Sequence, residues 1–260
     1  MTAAFFLPRA DGRYQATEHT SGPWDPKLQH AGPPAALLGR ALERCEPREE
    51  MVISRLTFEI LHAVPVGEVE VSARIVRPGR SVELLEATLT ASGREVVRAA
   101  AWRVLRAPGG TATPRAYEPP PLPETETPMP AQLESGYLKA VEWRSVRGGF
   151  LEHGPAAAWT RLRVAVVEGE QPTGLQRALA VADSGNGISG TLDMRRWWFI
   201  NPELTLHVER EPSGEWICLD AATSIQPGGA GLAASVLSDL QGPVARGAQT
   251  LYVGERPPAA

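Results

Sequence analysis

The sequence predicts an α+β protein made of two tandem copies of one unit, each an antiparallel sheet curled around a buried helix. Three observations predict it. Two helical runs, residues 31–45 and 175–182, are apolar on nearly every face. Each belongs to a half of the chain rich in short strands, several of which alternate apolar and polar residues with period two. The halves also repeat: Pro65-Val66-Gly67-Glu68 falls on Pro212-Ser213-Gly214-Glu215, and the spacing holds over the whole meander that follows.

The first unit spans 1–106. Residues 1–24 read as an entry strand, with Tyr14, Ala16 and Glu18 alternating and Gly22-Pro23 ending the run. His30, Ala31 and Gly32 lead into Pro33-Pro34, which suits a first helical turn because proline has no N–H to leave unpaired there. Leu37, Leu38, Ala41, Leu42 and Cys45 give that helix a broad apolar face. Strands follow at 55–62, 68–76, 82–91 and 95–105, separated by turns at 64–67, 78–80 and 92–94. Residues 107–134 hold eight prolines and few aliphatic residues, and read as a surface linker.

The second unit spans 135–260. Strands are expected at 141–145 and 158–167, then a helix from Leu175 with Leu179 and Ala182 on one face. Further strands are expected at 197–207, 216–223, 231–239 and 244–253. The helix runs straight into Asp183, and Ser184, Gly185, Asn186 and Gly187 read as helix-ending chemistry. A carboxylate at the inner end of an apolar helix is paired or put to use. Gln249 sits where the first copy has Ala101, in an otherwise small and apolar strand, so its amide needs partners. The polar pair is confined to the second copy, which places the candidate site there.

Composition excludes several functions. The net charge of −4 has both signs interspersed, which gives no nucleic-acid footprint. No apolar run approaches the length of a membrane span, and the N-terminus lacks a signal peptide's basic start, so a soluble cytoplasmic protein is expected. Cys45 and Cys218 lie in apolar surroundings and read as buried or half-buried thiols of a reducing compartment. The five histidines have no ligand spacing, so neither a metal nor a cofactor is expected. There is no G-x-S-x-G elbow, and the two PGG loops do not join a strand to a helix as a phosphate cradle does.

Taken together, HAGPPAALLGRALER, RLTFEILHAVPVGEVEVSARIVRPGR, ALAVADSGNG, WWFINPELTLH and GPVARGAQTLYV resemble the acyl-CoA thioesterase II-like families. The resemblance covers nearly the whole chain and implies a double hotdog fold. It further implies hydrolysis of acyl-CoA to a free acid and CoA, a role in lipid metabolism, and a homodimer. The families' catalytic trio is an acid, a Thr or Ser, and a Gln. Asp183 matches the acid and Gln249 the Gln. Thr191 matches the hydroxyl, with Ser189 or Ser184 as alternatives, because the segment after Asp183 is shorter here. Gly174 and Leu175, opening the second helix, are candidate oxyanion donors. Asn186 either assists Asp183 or takes a left-handed turn, and His30 either lies near the pocket or serves a turn. Arg195 and Arg196 either meet the phosphates of CoA or are solvated. A carboxylate, an amide and a hydroxyl can hold one water for attack on a thioester. The alternatives are an acyl- or CoA-binding protein without catalysis, and an enoyl-CoA hydratase, whose chemistry needs an Asp and a His close together.

Overall fold

The computed structural model describes residues 3–109 and 117–256. Part of the proline-rich linker, 110–116, lies outside the described residues. The first half comprises β1 (Ala4–Pro8), β2 (Tyr14–Ala16), α1 (Gly32–Arg44), β3 (Met51–Ile60), β4 (Glu68–Arg77), β5 (Val82–Ala91) and β6 (Arg94–Leu105). The second begins with α2 (Gly136–Ala140), β7 (Val141–Arg147), β8 (Ala156–Leu162), β9 (Ala165–Val167), α3 (Gly174–Ala182) and α4 (Gly185–Ile188). It closes with β10 (Trp197–Ile200), β11 (Glu203–Val208), β12 (Trp216–Ile225), β13 (Ala230–Asp239) and β14 (Gly242–Glu255).

The expected meanders are present, and one sheet joins them. Its order is β7-β8-β12-β13-β14-β11-β3-β6-β5-β4-β2-β1-β9, with β10 also on β14. The halves meet where β11 pairs antiparallel with β3, Leu206 opposite Leu56. They meet again where β1 pairs with β9, Phe6 opposite Val167. That second pairing is parallel, an exception to the antiparallel pattern expected from the alternation.

The sheet encloses the antiparallel pair α1 and α3. Gly32 and Gly39 permit their close approach. A Cβ on Gly32 would lie 2.1 Å from the Ala180 carbonyl oxygen, and one on Gly39 would lie 2.2 Å from Leu179 Cδ1. Leu37, Leu38, Leu42 and Leu179 are fully buried, as nearly all-round apolar helices require. Even Arg40 is buried, held by Glu170 and the Tyr14 hydroxyl. No helix among the described residues is long and apolar enough to cross a membrane.

Two expected strands are interrupted. The run 158–167 divides into β8 and β9, and the run 197–207 divides at Asn201-Pro202 into β10 and β11. Proline lacks the N–H that a continuing ladder would use. The break leaves the Thr250 N–H of β14 to be accepted by Glu203 Oε1, at 2.6 Å.

Asp239, at the end of β13, is wholly buried. Burial pushes its carboxyl up. The Arg210 guanidinium, the N–H groups of Ser213 and Gln241 and the Ser213 hydroxyl outweigh this and hold it at about 2, below the ordinary 3.8. A depressed acid contributes stability above its unfolded pKa and loses it as pH falls through the folded value. Asp239→Asn is therefore expected to cost roughly 1–2 kcal/mol near neutrality, discounted for the partly exposed Arg210. It should also flatten the loss of stability between about pH 4 and pH 2. Thermal unfolding of both proteins across that range reads the difference.

Candidate active site

Asp183 caps the C-terminal end of α3 in right-handed helical geometry. The chain does not turn left-handed there, as the Gly-Asn-Gly run suggested. It continues into the single turn α4, and none of Gly185, Asn186 or Gly187 has positive φ. Gly185 serves a different need, since a Cβ on it would lie 2.9 Å from Gln249 Oε1. The glycine admits the amide instead of reversing the helix.

Gln249 points inward from β14, in the stretch where that strand's neighbour changes from β11 to β10. Its Nε2 donates to the Asp183 carbonyl at 3.1 Å and to Asp183 Oδ1 at 3.2 Å. Its Oε1 accepts the Asn186 N–H at 3.2 Å. Asn201, at the β10–β11 break, donates from Nδ2 to Asp183 Oδ1 at 2.8 Å. Asp183 and Gln249 are only 5% and 2% exposed, so water does not satisfy these groups in bulk fashion.

The other carboxylate oxygen, Oδ2, faces the first half of the chain. His30 Nδ1 lies 3.3 Å from it. The same nitrogen accepts the Gly32 N–H at 3.1 Å, satisfying one of the donors left over at the start of α1. The imidazole stacks on the Tyr137 ring with centroids 3.8 Å apart and planes 6° from parallel. The Tyr137 hydroxyl donates to the Ala180 carbonyl at 2.9 Å and meets Ser184 Oγ at 2.8 Å. Burial pushes the His30 imidazole down, with Asp183 pulling the other way, and burial also pushes the Tyr137 phenol up.

The hydroxyl candidates behave differently. Ser184 is engaged with Tyr137. Ser189 Oγ bonds the Gly185 carbonyl and Thr223 Oγ1, each at 2.8 Å. Thr191 Oγ1 is buried with no hydrogen-bond partner among the described residues. None of the three bonds to Asp183 or Gln249.

Gly174 and Leu175 are a correction. They open α3 at the end opposite Asp183, roughly 13 Å away along a nine-residue helix. A Cβ on Gly174 would lie 1.8 Å from the Pro212 carbonyl oxygen, so this glycine serves packing. That end of the helix pair is instead clasped by Glu43 of α1, which accepts from Thr173 Oγ1 and Gln176 Nε2.

Arg195 and Arg196 are exposed before the half-buried Trp197 and Trp198. Arg256 lies over Trp198, 4.0 Å from the ring centroid, and Trp24 packs on Trp198 and Phe199. No group of His, Cys, Asp and Glu among the described residues is arranged to hold a metal. Cys218 is buried, which pushes its thiol up to about 12 and leaves it inert at neutral pH.

Sequence reasoning missed Asn201 and Tyr137. Asn201-Pro202 is a turn signal inside an apparent strand and marks where the chain bends toward Asp183. Tyr137 carried no local signal.

Residues 20–104 match the model of the acyl-CoA thioesterase N-terminal domain, and residues 114–253 match that of the C-terminal domain. The chain belongs to the acyl-CoA thioesterase family. It is accordingly a thioester hydrolase, and its fold is the double hotdog. Among solved structures it is similar to a hot dog fold protein of unknown function from Alicyclobacillus acidocaldarius, at 16% identity and TM-score 0.74. That match covers 95% of this chain and 93% of the other. It is also similar to the acyl-CoA thioesterase II TesB2 of Mycobacterium marinum, at 12% identity and TM-score 0.67, over 98% and 96% of the chains. The tesB protein of Mycobacterium avium subs paratuberculosis gives 13% identity and TM-score 0.62, over 97% and 96%. These identities carry the fold alone. No curated protein matches the chain in sequence.

Proposed function

We propose that this acyl-CoA thioesterase cleaves its substrate by direct attack of one water, with Asp183 as general base and no acyl-enzyme intermediate. The observation that carries the reading is the buried Asp183 carboxylate. Two amides hold one of its oxygens, and only His30 meets the other. In the reaction, a water O–H bond breaks and the proton passes to the carboxylate. The hydroxide oxygen bonds to the thioester carbonyl carbon, and the carbonyl π electrons move onto oxygen. The C–S bond then breaks, and sulfur leaves with the electron pair and takes the proton. Holding water and thioester in attack geometry is the main contribution. The side-chain amides of Asn201 and Gln249 are the donors that orient the base.

Free-thiol release from short, medium, long and aromatic acyl-CoAs tests this. Turnover of at least one member is expected, and no turnover of any would overturn it.

A second reading, hydration of an enoyl-CoA, is favoured by one observation: a histidine does lie beside Asp183, although none is near it in sequence. Hydration releases no thiol. Loss of enoyl absorbance without thiol release would select it.

A further inference from the structure

We propose that His30 completes the site as a positioning residue for Asp183, in the place where the family resemblance put a hydroxyl. The proposal rests on the hydrolysis reading above. Four features fix the histidine. Its Nδ1 lies 3.3 Å from Asp183 Oδ2, and no other side chain among the described residues bonds that oxygen. Its ring plane is set by Tyr137. Tyr137 is itself tied to the last turns of α3 through Ala180 and Ser184. The backbone carrying the ring is held against α3 by Gly32, whose contact with the Ala180 carbonyl leaves no room for a Cβ.

The hydrogen-bond inventory then assigns the proton. Nδ1 cannot both accept from the Gly32 N–H and donate to a carboxylate. While it accepts from Gly32 the ring is neutral, with its proton on Nε2. The Nδ1 lone pair then faces Oδ2. When Asp183 takes the proton of the attacking water, Oδ2–H has an acceptor directly opposite, and Nδ1 exchanges the Gly32 N–H for it. The proton returns from Oδ2 to the departing sulfur, and His30 ends as it began. His30 thus touches neither water nor thioester in this scheme. It acts by holding one orientation of the protonated carboxyl during the intermediate's lifetime. Thr191, Ser189 and Ser184 cannot do this where they lie, since each is engaged elsewhere or bonded to nothing.

The test uses the full-length chain with the best substrate of the thioester panel. Asn places an amide about as far from the backbone as Nδ1, whereas Gln places it one bond further, near Nε2. His30→Ala and His30→Gln are expected to lower kcat at least about tenfold with KM within about threefold, the scale of a mispositioned group. His30→Asn should restore kcat to within about threefold of wild type. His30→Ala should add no further loss on Asp183→Asn, as expected for two residues that act as one unit. The imidazole nitrogen signals of His30 should move in Asp183→Asn, read by NMR on folded protein. The proposal is overturned by any of three results: His30→Ala keeping wild-type kcat, His30→Asn as slow as His30→Ala, or losses that multiply. An unmoved His30 signal overturns it too. If wild type hydrolyses no thioester, the hydrolysis reading fails by itself, and the His30 signal still decides whether the two residues are coupled.

Discussion

Asp183→Asn lowers kcat for thioester hydrolysis by roughly a hundred- to ten-thousandfold, the range expected when a general base is removed. The substitution keeps the side chain's volume and one carbonyl oxygen. Asn201 Nδ2 and Gln249 Nε2, which both donate to Oδ1, therefore retain an acceptor. What is lost is the capacity of Oδ2 to take a proton. KM should change much less than kcat, because the carboxylate contributes to the transition state and not to holding the ground-state thioester. Thiol release gives kcat, and a thermal melt beside it separates catalysis from folding. A variant with wild-type turnover and a wild-type melt would remove Asp183 from the mechanism.

The second large effect concerns stability. Arg103 on β6 and Glu83 on β5 form an ion pair that is only 4% and 2% exposed. Arg103 also donates to the Cys45 and Glu46 carbonyls, at 3.1 and 3.0 Å, and so ties the sheet to the end of α1. Arg103→Met is expected to cost about 3–5 kcal/mol, because it strands the Glu83 carboxylate in the interior. Changing both partners, as Arg103→Met with Glu83→Leu, removes the stranded charge and should recover a large part of that loss. Urea unfolding of the three proteins tests this, and a double variant no more stable than Arg103→Met alone would contradict it.

The sequence carried the architecture further than the site. Periodicity and the Pro-x-Gly-Glu repeat located both meanders, because the strands have one face inward and the turns need particular residues. The same cues misread the end of α3. Glycines there were taken as helix terminators, whereas Gly185 makes room for Gln249, a contact 64 residues away in the chain. Asp183 and Gln249 were legible as polar groups in apolar surroundings. Their spatial partners were not. Asn201 reaches Asp183 only because Pro202 breaks a strand, and His30 only because α1 and α3 run antiparallel. The oxyanion candidates Gly174 and Leu175 failed for the matching reason. A helix N-terminus attracts negative charge, but sequence does not say what lies opposite it.

The ladder between β3 and β11 bears on how this protein can be handled. The two family matches invite expression of residues 20–104 or 114–253 as separate pieces. The second piece contains Asp183 and Gln249 but would lack the strand that covers β11, from Glu203 opposite Glu59 to His207 opposite Arg55. It would also lack His30 and α1, exposing the apolar side of α3. Such a fragment presents a bare hydrogen-bonding edge beside an uncovered greasy surface, a combination that drives self-association. Precipitation of the isolated half would therefore report the missing neighbour and say nothing about whether the intact enzyme is well behaved.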